Sequence, residues 1–412
     1  MVEKILVLEN HRHTLTVLRS LANTGYDPIV GCHDQIDKKF ALSSRYTKEI
    51  WPHPGFNEEE KFTEALVCLL KKRSDIAYIF PVGEACLLLL ARNYDKISRF
   101  CGIIMPNPIA IEICINKAMT CKLVRDMNIP LPETSIVRSF VDINTQIEKI
   151  GYPFILKPKI ITLGASFYGK KCIICNTPDE YKKYFPKWPE RYHDLILQRK
   201  VSGIRYSCLF TSFKGNIISY FEEKTLRTDA YDGTGNAIDS VSSNPSKQRK
   251  DFSELLTRRL DYTGIGCIQF LVNEEDGSCY FMEFNPRLDA NSALPYYCGV
   301  DFPRQAIDVH RYLMGKITSL PQYSRDYPVN KRIHWLFGDI SGLLIDLKQK
   351  RISVFQGIGW FFRILNSFYR ASYHMTWSWK DPLPTLVMYK QELLNIITHR
   401  LNSLRLHKTG KS

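Results

Sequence analysis

The chain has 412 residues, 44% hydrophobic and 24% charged, the balance of a globular protein with room for two or three domains. No apolar run approaches the roughly 20 residues a membrane-spanning helix needs, and the opening MVEKILVLEN does not read as a cleavable signal. The net charge of +14 suits anionic ligands, but the basic residues are spread out and no helix-turn-helix, zinc-finger or RNA-recognition pattern accompanies them, so no nucleic acid partner is expected.

Lys4–Leu8 is an apolar run of strand length, His13–Thr24 has helical apolar spacing closed by Gly25, and Pro28–Cys32 reads as a second strand. This βαβ start predicts a doubly wound α/β sheet. The intervening loop, ENHRH, has no Gly-x-Gly-x-x-Gly, so dinucleotide binding is not expected. Ile76–Phe80 is a further strand, followed by Pro81-Val82-Gly83-Glu84 and the leucine-rich helix Ala85–Arg92. Ligands of open sheets sit outside the carboxyl ends of the strands, which makes Glu84 a candidate substrate contact. The alternative is an acid that complements the helix dipole.

Asn116 caps a predicted helix from Lys117 to Met127, with Lys117 in the first turn, where a cation opposes the dipole. Pro153–Lys157 is a short strand ending in lysine, followed by a loop with Gly164 and Gly169, an arrangement suited to holding a phosphate. Cys172 and Cys175 lie three apart in a strand-like run and so point to opposite faces, which argues against a zinc site. The twelve cysteines show no disulfide framework, which implies a reducing compartment and a cytoplasmic protein. Leu195–Val201 is a strand closed by Ser202-Gly203. A flexible turn at Gly233 and Gly235 separates Arg227 from Asp239-Ser240, and the helix Gln248–Leu260 follows. By composition alone the segment from Arg227 to Ser240 reads as an ordinary surface loop.

The most informative stretch is Gly264 to Leu294. Two apolar runs, Cys267–Val272 and Cys279–Phe284, flank a turn containing Asp276-Gly277, which predicts a β-hairpin. A turn centred near Asp276 sets Gln269 about opposite Glu283, with Cβ atoms roughly 5 Å apart. Asn285 is two residues on and shares that face, so three oxygen-bearing side chains converge as a hard divalent cation requires. Asp301–Met314 then reads as a helix.

The order Gln269, then Glu283-Phe284-Asn285-Pro286-Arg287, then Ser292-Ala293-Leu294 resembles the metal-binding hairpin of ATP-grasp enzymes, above all the synthetase domains of the carbamoyl phosphate synthase large subunit. The resemblance runs from about Val2 to Lys316 and implies a doubly wound pre-ATP-grasp domain (1–111), an α+β ATP-grasp domain (112–318) and a C-terminal extension (319–412). It further implies Mg²⁺ or Mn²⁺ on Gln269, Glu283 and Asn285, with Glu283 also at the ATP site. Lys117 and Lys157 would then lie on the ATP phosphates, Gln198, Arg199 and Val201 in the adenine-binding linker, and Arg287 beside the transferred phosphate. The loop ending in Asp239-Ser240 matches one that lies over the family's active site, which makes Arg227 a candidate catalytic residue and Ser240 a candidate substrate contact. An acid that binds ribose in many members is replaced here by Arg205. The implied activity is ATP-dependent joining of a carboxylate to an amine through an acyl phosphate. No side-chain nucleophile is needed, and no Ser-His-Asp or Cys-His pattern occurs.

Beyond Pro321 the resemblance stops. Phe355–Trp379 is rich in aromatics with interspersed arginines, so it suits either packing on the body or another subunit of an oligomer, or an amphipathic helix at an anionic membrane surface. Met388–Leu404 reads as a last amphipathic helix.

Overall fold

The computed structural model describes residues 2–22, 24–33, 40–160, 172–184 and 194–391. The expected glycine loop with Gly164 and Gly169, and most of the expected last helix, lie outside these residues.

Three sheets build the molecule. The first is all parallel, in the order β3-β2-β1-β4-β5, from β1 (Lys4–Leu8), β2 (Asp27–Cys32), β3 (Glu49–Pro52), β4 (Ile76–Pro81) and β5 (Gly102–Ile103). The buried, near-continuous apolar run of β1 suits a strand covered on both faces. The chain winds outward from β1 to β3, then returns to the other side for β4. The topological switch point therefore lies between the carboxyl ends of β1 and β4, where open sheets bind ligands.

The second sheet has the order β6-β9-β7-β8, from β6 (Thr134–Val137), β7 (Phe154–Pro158), β8 (Ile173–Cys175) and β9 (Leu195–Arg199), with antiparallel pairs. The third has seven strands in the order β14-β13-β10-β11-β12-β15-β16. These are β10 (Ile204–Phe213), β11 (Asn216–Thr228), β12 (Ala237–Ser242), β13 (Gly264–Val272), β14 (Cys279–Asn285), β15 (Arg332–His334) and β16 (Tyr373–His374). The expected hairpin is β13–β14, with Gly277 in its turn at φ 74°. The last two strands come from the C-terminal extension, which thus adds an edge to the large sheet.

Side-chain alternation gives the large sheet two different faces. Cys208, Phe210, Ile268 and Phe270 point to one face and pack with Leu256 of helix Lys247–Arg259 and Val124 of helix Lys117–Asp126. Leu209, Phe221 and Cys267 point to the other and share a core with Val7 of β1 and with Leu15 and Leu18 of helix Arg12–Leu21. The first sheet and the large sheet are therefore welded through one hydrophobic core.

The extension is held by buried ion pairs as well as by strand pairing. Arg332 Nε donates to Asp239 Oδ1 at 2.7 Å, and Arg227 Nη1 donates to Asp339 Oδ1 at 3.1 Å. Trp360 Nε1 donates to the same Asp339 oxygen at 2.6 Å, and Ser367 Oγ donates to Asp239 Oδ2 at 2.6 Å. His334 Nε2 lies 2.8 Å from Asp339 Oδ2. Both aspartates are buried, so removing one partner strands a charge, which is costly.

Leu18 is fully buried at the weld between the two sheets. Leu18→Ala is expected to lower the unfolding free energy by about 2–5 kcal/mol, read from urea denaturation.

Candidate active site

The register of the hairpin sets the geometry. Gln269 pairs with Glu283 and Asn285 with Cys267, across a bulge between Gln269 and Phe270. Gln269, Glu283 and Asn285 thus share one face. Asn285 Nδ2 donates to Glu283 Oε1 at 3.1 Å, and Arg287 Nη2 donates to Asn285 Oδ1 at 3.4 Å. Gln269 Nε2 donates to Ser207 Oγ at 3.3 Å, leaving Gln269 Oε1 buried without a hydrogen bond. A buried acceptor without a donor fits a cation ligand. Among the described residues no three His, Cys, Asp or Glu side chains cluster as a self-contained metal site. The donor set here, one carboxylate and two amides, instead suits a cation that shares its ligands with a phosphate.

The end of β7 carries Lys157, which is half-buried. Desolvation lowers its pKa, with Lys117 lowering it further and Glu283 opposing. Its Nζ donates to Gln198 Oε1 at 3.0 Å, and Gln198 Nε2 donates to Thr134 Oγ1 at 2.8 Å. A half-buried ammonium within electrostatic reach of a carboxylate on another sheet suits an anion with its counter-cation. Lys117 is the first residue of its helix, capped by Asn116, whose side chain accepts from the Ala118 and Met119 amides. Its backbone amide donates to Lys159 O at 3.0 Å, which ties the helix start to the end of β7. Arg199 ends β9 on the exposed side, with Nη2 2.9 Å from Glu133 Oε2, and Val201 follows, half-buried.

The polar row of the large sheet continues from Gln269 to Ser207, Glu223 and Ser242 by strand register. Asn291 Nδ2 donates to both Glu223 Oε1 and Ser240 Oγ at 2.8 Å, so Ser240 lies in this buried row. Arg205 joins it, with Nε 3.3 Å from Thr225 Oγ1 and Nη1 donating to Gly235 O at 3.1 Å. Arg227 is engaged elsewhere: its guanidinium contacts Asp339, Asp239 and Ser367 and so anchors the C-terminal helices.

A cavity of about 360 Å³ opens at the switch point of the first sheet and joins it to Arg287. Glu9, His11, Arg12, Glu84 and Arg287 line it, with Trp335 of the extension. Glu9 follows β1 at φ 80°, a left-handed conformation of the kind held at functional sites. Burial alone would raise its pKa, but His11 Nε2 at 2.8 Å and the Cys86 amide at 3.1 Å bring it below the ordinary value. Arg12 lies over the Trp335 ring at 3.9 Å and donates from Nε to Ala290 O at 3.1 Å. Its Nη1 is buried without a partner, and burial lowers its pKa to about 10. Glu84 starts the helix Glu84–Arg92 on the cavity wall.

A small antiparallel sheet and a large sheet beside a doubly wound unit make up the ATP-grasp architecture. The biotin carboxylase domain of the Hydrogenobacter thermophilus 2-oxoglutarate carboxylase, solved with MgADP, ADP and bicarbonate, superposes with a TM-score of 0.63 at 20% identity, covering 81% of this chain and 73% of that one. The chain has the ATP-grasp fold. Within that class, the family model for the carbamoyl-phosphate synthase L chain, ATP binding domain, matches residues 239–310, which hold Gln269, Glu283, Asn285 and Arg287. The D-alanine–D-alanine ligase of Neisseria meningitidis is 24% identical over 202 residues, 46% of this chain and 64% of the relative. The N-terminal section of the Aquifex aeolicus carbamoyl phosphate synthase large chain is 25% identical over 236 residues, 54% of this chain and 42% of the relative. The chain thus spans less than two thirds of the length of either relative.

Sequence reasoning missed Glu9, Arg12, Glu223 and Trp335. The rule that singled out Glu84 after β4 applies equally to the ENHRH loop after β1. Glu223 and Trp335 carry no local signal; the fold alone brings them in.

Glu223 is buried, and desolvation, followed by the charge of Asp289, pushes its pKa up to about 8 against partial relief from Asn291, Arg205 and Arg12. The folded state then binds the extra proton between pH 4.5 and about 8. Its stabilisation is complete below 4.5 and is lost as pH rises through about 8. Melting temperature is expected to fall over that window, and Glu223→Gln, which keeps the acceptor for Asn291, is expected to flatten the fall.

Proposed function

We propose that this protein is an ATP-dependent ligase that activates a carboxylate as an acyl phosphate and transfers the acyl group to an amine, releasing ADP and phosphate. The observation that carries the reading is the convergence of Gln269, Glu283 and Asn285 on one face, with Arg287 adjoining Asn285 and Lys157 within electrostatic reach of Glu283. The chain is taken to divide into a pre-ATP-grasp domain at 1–111, an ATP-grasp domain at 112–318 and a C-terminal extension at 319–412. The relatives support the same reading, since one is a D-alanine–D-alanine ligase and another a carbamoyl phosphate synthase section.

Gln269 Oε1, Glu283 and Asn285 Oδ1 would hold Mg²⁺ or Mn²⁺. The cation supplies charge neutralisation between neighbouring phosphate oxygens. Lys117 and Lys157 bind the remaining phosphate charge, and Gln198, Arg199 and Val201 flank the base. Gln198 also orients the Lys157 ammonium through their hydrogen bond. Arg287 binds the oxygens that gain charge as the carboxylate oxygen attacks phosphorus. Two anions otherwise repel at that step, so the cationic side chains lower its barrier by fixed electrostatics and positioning. The amine then attacks the acyl carbon, and phosphate leaves. Arg227 supports this site at a distance, by fixing the extension that carries Trp335.

The cavity suggests the substrate class. It carries both signs, Arg12 and Arg287 with Glu9 and Glu84. That distribution suits a small molecule bearing a carboxylate and an ammonium, such as an amino acid, with the carboxylate on the arginines and the ammonium on the glutamates. Ser240 acts indirectly, through Asn291.

The decisive measurement is Mg²⁺-dependent ATP turnover over panels of amino acids, other carboxylates, amines and bicarbonate, separating ADP plus phosphate from AMP plus pyrophosphate. ADP and phosphate are expected with an amino-acid panel, and Glu283→Ala is expected to reduce turnover on the order of 100-fold. AMP would reject the acyl phosphate. MgATP binding without turnover in any panel would favour a silent ATP-binding scaffold. Glu84→Gln is expected to raise KM for the amino-bearing substrate about tenfold with little change in KM for ATP.

A further inference from the structure

The helix Val354–Arg370 is apolar on two opposite sides. Gly357, Trp360, Ile364 and Ser367 form the stripe that packs on the body. At about 100° per residue, Phe355, Ile358, Phe362, Leu365 and Tyr369 fall on the far side of the cylinder. All five are exposed, Phe355 at 86% and Tyr369 at 90%. In the segment that follows, Trp379 is 87% exposed. Water-facing aromatics in such number mark a docking surface.

Charge identifies what docks. The stretch 347–380, bordered by Asp346 and Asp381, contains six Lys or Arg residues and no Asp or Glu; Arg351 is paired with Asp346, and the other five include Arg363 and Arg370 of the helix. Arg363 and Arg370, seven residues and so about two turns apart, lie on one flank of the apolar face, both exposed. A second copy of the chain would meet this face with itself in a two-fold dimer, setting like charges together without a carboxylate in the stretch to pair them. A nucleic acid would leave the aliphatic and aromatic surface in water. An apolar face flanked by cations matches an anionic phospholipid surface, where rings enter the acyl boundary and guanidiniums meet phosphates. No helix among the described residues is long and apolar enough to cross a membrane, so this one would lie in the interface plane.

We propose that the Val354–Arg370 face docks the protein on an anionic phospholipid surface. The inference is independent of the ligase reading, because none of these side chains lines the cavity of the candidate active site. The full chain is tested by co-sedimentation with vesicles of phosphatidylcholine alone and of phosphatidylcholine with phosphatidylglycerol, at low and high salt. Binding is expected only to the anionic vesicles and is expected to weaken with salt. Phe355→Ser with Phe362→Ser, and separately Arg363→Glu with Arg370→Glu, are each expected to weaken binding about tenfold or more. Their melting temperatures should remain near the parent's, because the substituted side chains are exposed. Brominated lipid is expected to quench parent tryptophan fluorescence, a readout that needs no variant. Absence of vesicle binding, equal binding to neutral vesicles, or binding unchanged in both double variants would overturn the proposal. So would a concentration-dependent dimer in sedimentation velocity that the phenylalanine variant abolishes, which would assign the face to a second copy.

Discussion

The hydrogen-bond register between β13 and β14 is the constraint on which the candidate site depends. Strand side chains alternate with period two, so a slip of one residue would turn Glu283 or Gln269 into the apolar layer formed by Ile268 and Phe270. The bulge after Gln269 absorbs the mismatch between the strands and keeps Glu283 and Asn285 on the polar face. The apolar residues on the opposite face hold the register, because Phe270, Phe281 and Phe284 can be buried only in this alignment. Packing on one side of the sheet thereby positions chemistry on the other.

The polar face is not uniform. Its Leu209, Phe221 and Cys267 pack against helix Arg12–Leu21, so the doubly wound unit is fixed to the large sheet through a shared core. That weld carries the carboxyl ends of β1 and β4 to the edge of the hairpin. Glu9, Arg12 and Glu84 then meet Arg287 around one cavity, although up to 278 positions separate them in sequence (287 − 9). The polar groups left between the two apolar regions are desolvated, which explains the raised pKa of Glu223 and the lowered pKa of Arg12.

The extension completes the site from the opposite edge. Buried Asp239 and Asp339 draw in Arg332, Arg227, Trp360 and Ser367, and β15 pairs with β12. This places Trp335 under the Arg12 guanidinium, a contact that spans nearly the whole chain. The same network sets helix Val354–Arg370 with one stripe inward, which leaves its aromatic face toward solvent.

Local patterns were enough to predict β1, β4, the capped helix at Lys117, the hairpin and the facing of Gln269 by Glu283. Each depends on short-range rules: apolar runs of strand length, an asparagine that caps, a turn that sets register. Those rules also marked Glu84, through the strand it follows. They could not reveal the pocket shared by Glu9, Arg12 and Arg287, the burial of Glu223, or the engagement of Arg227 with Asp339. These features arise from contacts between elements far apart in the chain, 68 residues for Glu223 and Asn291 and 112 for Arg227 and Asp339, and desolvation depends on what packs around a group rather than on its neighbours in the chain. Residue types and spacing determined which side chains could do the chemistry. The tertiary packing of one sheet against another decided which of them meet, and in what dielectric.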